Sequence, residues 1–434
     1  MKVVILDGSS PADTTAELVR NTLTAEWETR GWSAELFTLT ENTIGACAGD
    51  FFCWFRFPGT CNVNDDNRLI AAAMVEADLV LYLTPVTFGG YSSVLKQMVD
   101  HQIQNISPFF TRVDGESHHQ KRYEHYADFL AIGWQEEPDT EAAAVFRNLV
   151  HRNSINFHAG THVAGVLDAT QDEPVIHRLV SGWLDDVRDG RSSLPVTHPR
   201  ITPAAEPTAP PKNALLLVGS PKTRKSTSAS LGDYLYEQLA GQGITTETIY
   251  IHTTIRSAKR RQALLAAVDN ADLITLAFPL YVDALPGPVT EALELIAAHR
   301  QEQPLAGSQR LTAIANCGFP EAEHNDQALA IVGTFARRSG FEWAGVLALG
   351  GGQGLVQGRP LVELGGRTAG IRQALDLTAA ALSTGHSIPA EAAEQMARPV
   401  IPHRLYTTMG SIGWRLQARQ YGMQKQLRRR PYAA

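Results

Sequence analysis

The sequence predicts a doubly wound α/β fold built twice over, each copy a parallel five-stranded sheet of order 2-1-3-4-5 wrapped by helices. Three observations predict it. Short apolar runs alternate with helical patterns along most of the 434 residues, which is the signature of βαβ units. The same order of events stands on both sides of a proline-rich stretch, with Gly8 matching Gly219, Pro85 matching Pro279 and Ala164-Gly-Val matching Ala344-Gly-Val. The offsets between these matches fall steadily, from 211 to 194 to 180, so the chain reads as a duplicated domain.

In the first copy the apolar runs place strands at 3–7, 35–38, 79–84, 129–133 and 161–167. In the second they fall at 214–218, 246–251, 273–278, 311–315 and 343–349. A stretch with six prolines, residues 194–212, has almost no apolar periodicity and reads as an extended, semi-rigid linker. The domains are then 1–193, the linker 194–212, and 213–434, the last carrying a basic C-terminal extension.

Composition bounds the function. Hydrophobic residues at 44% and charged residues at 19% suit a globular protein and exclude collagen, long disorder and coiled coil. A net charge of −7 argues against bulk attraction to nucleic acid or anionic membrane, leaving room for local basic patches. Four cysteines are too few for a disulfide framework in a chain this long. The first apolar run is shorter than a signal peptide's core and no stretch approaches a membrane span, so the expectation is a cytosolic protein with reduced thiols.

In doubly wound sheets ligands bind at the carboxyl ends of the strands, near the point where strand order reverses. That rule points to the loops after strands one, three and four of each copy. After strand one of the second copy comes Gly219-Ser-Pro-Lys-Thr-Arg-Lys-Ser-Thr-Ser228, running into a helix over 229–240. Hydroxyls, free amides and the positive end of a helix dipole, joined by Lys222, Arg224 and Lys225, make a credible cradle for a phosphomonoester. The spacings of a nucleoside-triphosphate loop and of a dinucleotide fingerprint are both absent, and a plain Ser/Thr helix cap is the bland alternative. The first copy has Asp7-Gly-Ser-Ser-Pro-Ala-Asp-Thr-Thr15, with hydroxyls but no cation; its Asp13 opposes a dianion or caps the helix.

After strand three stand Thr84-Pro-Val-Thr-Phe-Gly-Gly90 and Phe278-Pro-Leu-Tyr-Val-Asp283; after strand four, Gly133-Trp-Gln-Glu-Glu137 and Asn316-Cys-Gly-Phe-Pro-Glu321. Proline-stiffened loops with aromatics suit a planar ring system, its heteroatoms met by backbone amides, although each aromatic taken singly also suits plain packing.

The first copy also carries Cys47-Ala-Gly-Asp-Phe-Phe-Cys-Trp54, Pro58-Gly-Thr-Cys61, Asp65-Asp66 and Leu95-Lys-Gln-Met-Val-Asp100. On these motifs and the strand-three loop the chain resembles the NADPH-dependent FMN reductase family of flavodoxin-like proteins, present twice. The second copy is similar to a related group through Gly219-Ser-Pro-Lys222, Phe278-Pro-Leu-Tyr-Val-Asp283 and Asn316-Cys-Gly-Phe-Pro-Glu321. The resemblance implies FMN as cofactor, NAD(P)H as co-substrate and a small acceptor such as a quinone, a flavin or a nitro compound. The cofactor-binding residues it implies in the first copy are Ser9, Ser10, Thr14, Thr15, Pro85, Val86, Thr87, Phe88, Gly89, Gly133 and Trp134. In the second they are Ser220, Lys222, Lys225, Ser226, Thr227, Ser228, Pro279, Leu280, Tyr281, Val282, Asn316, Cys317 and Gly318. The flavin carries the chemistry, so no catalytic side chain is singled out. A homo-oligomer is expected, and one copy is open to having lost its flavin. The alternatives are a flavodoxin-type electron carrier and a flavin-free binding or scaffold module.

A related branch, the iron–sulfur flavoproteins, holds a cluster on a compact run of cysteines. Here Asp50 stands at the middle position and leaves Cys47, Cys53 and Cys61, one ligand short, so no metal is expected. The loop is expected to pack beside the flavin or at a dimer seam through Phe51, Trp54 and Phe55. The insertion 105–126 holds His118, His119 and His125; taken as helical it separates them by roughly 10 Å, so they read as solvated or substrate-rim groups. Its Phe109, Phe110, Tyr123 and Tyr126 suit an interface. Gly350-Gly-Gly-Gln-Gly354 reads as a close-approach turn with no helix start promptly behind it. From Pro402 onward there is no acid but seven cations, and Ile412, Leu416, Met423 and Leu427 fall near one face of a possible helix, expected to dock on this protein's own or a partner subunit's surface.

Overall fold

The computed structural model describes residues 1–197, 203, 207–304 and 307–433. The chain divides into two compact units, Met1–His198 with Met409–Ala434, and Pro199–Thr408. Part of the expected linker thus lies outside the described residues. The C-terminal segment, grouped with the second domain in the sequence reading, packs instead on the first unit.

In the first unit the strands are β1 (Lys2–Asp7), β2 (Ser33–Thr38), β3 (Leu79–Pro85), β4 (Ile106–Val113), β5 (Glu116–Lys121), β6 (Asp128–Gln135) and β7 (His162–Asp168). Five of them form one parallel sheet in the order β2-β1-β3-β6-β7, the predicted 2-1-3-4-5. Strand β3 is buried along Leu79–Thr84 because helices cover both faces, which is why it reads as an unbroken apolar run. The helix Thr14–Arg30 begins on Asp13 and stops at Gly31, whose φ of 62° only glycine adopts freely. The core holds Val3, Leu23, Leu81, Ile132, Trp134 and Val180 among others.

The insertion is not helical. Strands β4 and β5 pair antiparallel as a hairpin, with the turn at Asp114 and Gly115, both at positive φ. On a strand His118 and His119 point to opposite faces. Contrary to the solvated reading, His118 is 1% exposed and His119 stacks on Phe110 and tilts against Trp54. His125 alone of the three is exposed.

The second unit repeats the plan with β8 (Asn213–Val218), β9 (Thr245–Tyr250), β10 (Leu273–Pro279), β11 (Arg310–Asn316) and β12 (Glu342–Leu349), ordered β9-β8-β10-β11-β12 and all parallel. Gly350 and Gly351 do make a close-approach turn, but a short helix, Gly352–Leu355, follows at once. A Cβ on Gly352 would lie 3.1 Å from both Asn316 Cβ and Thr227 Cγ2, so the turn needs that glycine to sit over the end of β11.

Candidate functional site

The first-strand turns of the two units differ in what their helix N-terminus holds. In the second unit the helix Thr227–Gly241 is capped by Ser226, whose Oγ accepts from the Ala229 amide at 3.0 Å and donates to Thr223 O at 2.6 Å. Ser220 Oγ accepts from the Lys222 amide at 3.3 Å, closing the turn upon itself. The amides of Thr227 and Ser228, first in the helix, are by construction directed out of it. Lys222, Arg224 and Lys225 are exposed around them, and no acid stands in the turn. The result is an electropositive rim around a helix N-terminus whose hydroxyls are buried, Thr227 Oγ1 donating to Gly352 O at 3.3 Å.

In the first unit the equivalent place is occupied by a carboxylate. Asp13 Oδ1 accepts from the Ala16 amide at 3.0 Å, capping the helix, while Asp13 Oδ2 accepts from Trp134 Nε1 at 2.9 Å. Arg20, the nearest cation, is committed to the buried Asp7 carboxylate at 2.6 Å and to Ser9 Oγ at 3.1 Å. Ser9 is buried, and Ser10 Oγ accepts from the Ala12 amide. A phosphate dianion here would face Asp13 and displace a cap, so these residues do not fit that group. Trp134, expected beside a ring, is 3% exposed and belongs to the core.

The strand-three loops share one conformation. Thr87 pairs with Gly90, and Tyr281 with Ala284, in both cases across a two-residue turn. The central residues are all left-handed: Phe88 and Gly89 at φ 54° and 86°, Val282 and Asp283 at 47° and 57°. That geometry belongs to a type I′ turn and favours glycine or asparagine; a β-branched valine there is strained. In the first unit the loop leans on its neighbour, for a Cβ on Gly89 would lie 2.7 Å from Val145 and one on Gly133 2.6 Å from Val86 Cγ2. In the second unit Pro279, Leu280, Tyr281 and Val282 stay partly exposed.

The strand-four loop of the second unit is tied to both other loops. Asn316 Nδ2 donates to Ser228 Oγ at 2.9 Å and to Phe278 O at 3.0 Å, and the Leu280 amide donates to Asn316 O at 2.8 Å. Asn316 is therefore the crosspiece of the site, a role only the tertiary structure reveals. Burial pushes the Cys317 thiol up to about 12, and its sulfur lies against Phe319 O at 3.3 Å and Glu321 O at 3.4 Å, so it braces the loop as a neutral thiol. Gly318 is exposed, with Tyr406 donating its phenol to Gly318 O at 2.9 Å. Sequence reasoning missed Tyr406, which no spacing relates to position 318.

The three clustered cysteines lie beneath the C-terminal segment. Trp414 meets Phe51 at 5.5 Å, Trp54 at 5.2 Å and Phe55 at 6.1 Å between ring centroids, and Tyr421 packs on Phe52 and Phe55. Arg122, 3% exposed, donates to Ile106 O, to Leu427 O at 3.1 Å and to Arg429 O at 2.8 Å; Arg430 donates back to Arg122 O at 2.7 Å. The packed residues of the segment are Trp414, Ala418, Met423 and Leu427, whereas Ile412 and Leu416, expected on the same face, point outward. Burial pushes the Cys47 thiol up to about 12 and Cys53 well above its usual value. Asp50 Oδ1 is engaged by the Phe52 amide, and among the described residues no three His, Cys, Asp or Glu side chains are grouped to hold a metal ion. These donors do not fit an iron–sulfur cluster.

Fold and site together define a tandem flavodoxin-like protein whose second unit carries an acid-free helix N-terminus ringed by exposed cations. The resemblance to the NADPH-dependent FMN reductase family is matched by that family's model over residues 1–115. An iron–sulfur flavoprotein of Methanocaldococcus jannaschii is 37% identical over 101 residues, 23% of this chain and 51% of that protein. One from Archaeoglobus fulgidus is 29% identical over 100 residues, 23% of this chain and 48% of that protein. The chain thus spans about half the length of the curated relatives it matches. Among solved structures, an NAD(P)H:quinone oxidoreductase from Methanothermobacter marburgensis aligns at 15% identity and a TM-score of 0.33, over 44% of this chain and 96% of that one.

Proposed function

We propose that the chain is an FMN-dependent NAD(P)H oxidoreductase for a small acceptor, with its flavin seated in the second unit, the first unit keeping the match to the reductase family's model while its helix N-terminus is filled by Asp13. The observation that supports this reading is the contrast between the two helix N-termini: one acid-free with three exposed cations, the other filled by Asp13 and Trp134.

When bound, the flavin supplies acceptance of a hydride from a nicotinamide and its delivery to a quinone, flavin or nitro compound. The chain's own residues bind and orient it. Ser220, Ser226, Thr227 and Ser228, with Lys222 and Lys225, hold the phosphate by hydroxyls, first-turn amides and charge. Pro279, Leu280, Tyr281 and Val282 on one side and Asn316, Cys317 and Gly318 on the other flank the ring. Asn316 keeps the three loops in register, so the ring meets a preorganised slot. The strained turn at Val282 directs backbone groups towards the ring edge, which is a role such strain commonly serves.

Flavin content per chain tests the reading. The purified full chain, supplied with FMN, is expected to hold one flavin, and Lys222→Glu with Lys225→Glu to hold almost none, with binding at least about 100-fold weaker. Anaerobic bleaching by NADH or NADPH then separates an oxidoreductase from an electron carrier. Two flavins per chain, or undiminished flavin in the double variant, contradicts the placement.

A further inference from the structure

From Pro402 onward the chain carries Arg404, Arg415, Arg419, Lys425, Arg428, Arg429 and Arg430 and no acid. The helix His403–Arg419 has two working faces. Trp414 and Ala418 turn inward against Phe51, Trp54 and Phe55 of the first unit. The opposite face bears Met409, Ile412 and Leu416, which are 52%, 49% and 58% exposed. Steps of three and four residues align them in one row along the helix. Arg415 and Arg419 are exposed along one edge of the row. Isolated apolar side chains on a surface need no explanation, but an aligned row with a one-signed edge marks a contact.

We propose that this row docks on an anionic lipid surface, the helix lying in the plane of the headgroups with Met409, Ile412 and Leu416 entering the acyl boundary. Three considerations select that occupant. The edge is purely cationic, so the matching surface is negative. A nucleic acid would use the arginines and leave the apolar row in water. A second copy is disfavoured on area and on charge: three side chains fall far short of the roughly 20–30 residues each partner gives a stable interface, and pairing like rows would bring Arg415 and Arg419 of both copies together. The helix is already held by its Trp414 face, so contact orders nothing new. Attachment is peripheral, since no helix among the described residues is long and apolar enough to cross a membrane.

The test is sedimentation of the full chain with vesicles of phosphatidylcholine alone, or with phosphatidylglycerol as about a third of the lipid. Partition onto the anionic vesicles is expected to be at least about 10-fold stronger and to fall as salt rises. Ile412→Asp with Leu416→Asp, and separately Arg415→Gln with Arg419→Gln, are each expected to lower it about 10-fold or more. Ile412, Leu416 and Arg419 are exposed, and Arg415 rests its guanidinium on the Phe109 ring at 4.9 Å, so unchanged Trp414 fluorescence and near-ultraviolet circular dichroism are required of each variant to separate lost docking from lost folding. Equal partition onto the two vesicle types overturns the proposal, as does undiminished binding of the Ile412 and Leu416 variant. If that variant instead halves the mass in solution while the wild type ignores vesicles, the row belongs to a second copy and the lipid assignment fails.

Discussion

Trp134 donates its indole proton to Asp13 Oδ2 at 2.9 Å while the other oxygen of the same carboxylate caps the helix at Ala16. This pair closes the first unit's helix N-terminus with the protein's own atoms. Where Asp13 stands in one unit, the neutral hydroxyl of Ser226 caps the helix in the other and leaves its dipole uncompensated by any acid.

Asp13→Ala removes the cap and leaves the Trp134 indole buried without its acceptor. The two losses together are expected to destabilise the first unit by about 2–3 kcal/mol. Thermal unfolding followed by tryptophan fluorescence measures this, and flavin content should not change under the proposed seating in the second unit. A loss of flavin would place the cofactor there.

The thiols of Cys47 and Cys53 are neutral at physiological pH because burial favours the protonated form. Their alkylation should be at least about 100-fold slower than that of a free thiol, since the thiolate is the reactive form. Arg122→Gln loosens the C-terminal segment at Leu427 and Arg429 and should speed the reaction at Cys53 while leaving Cys317, in the other unit, protected. Mass-spectrometric counting of modified cysteines distinguishes this from global unfolding, which would expose all four. The sign for stability follows: a thiol whose folded pKa is raised stabilises the fold below its unfolded value, and that contribution is lost as pH climbs from about 9 towards 12 for Cys47.

Burial lowers His119 to about 3 and His158 to about 4, from an ordinary 6.5. Between those values and 6.5 the unfolded chain binds protons that the folded chain refuses, so stability falls as pH drops below about 6.5. His119→Phe keeps a ring between Trp54 and Phe110 and removes one titrating group. Unfolding midpoints measured from pH 7 to pH 4 should fall less steeply in that variant; parallel curves would mean that His119 charges freely in the folded state.

Val282→Gly relieves a left-handed β-branched residue at φ 47° and should stabilise the second unit by about 1 kcal/mol, the relief of strain exceeding the entropy glycine adds to the unfolded chain. Calorimetry measures the shift. A simultaneous weakening of FMN binding is expected, because the turn loses the rigidity that aims its amides.

Much of the fold was legible in the chain. The five strands of each unit lie within two residues of their predicted limits, because buried parallel strands are continuous apolar runs and are read locally. The cation-bearing turn at 219–228 was equally plain. The insertion was not: as a helix its histidines looked solvated, whereas as the hairpin β4–β5 it buries His118 and stacks His119. A short polar and aromatic stretch has no decisive period, and its conformation is chosen by what it packs against.

The sequence by itself determined the duplication, the strand order and which turns stand at the carboxyl ends of the strands, since these follow from hydrophobic period and turn chemistry within a few residues. Tertiary structure decided what fills each helix N-terminus. Asp13 is filled by an indole 121 positions away, Asn316 reaches Ser228 across 88, and the cysteine loop is covered by Trp414 from the far end of the chain. A hydrogen bond or a ring contact depends on distance in space, and no local pattern of residue types encodes that distance.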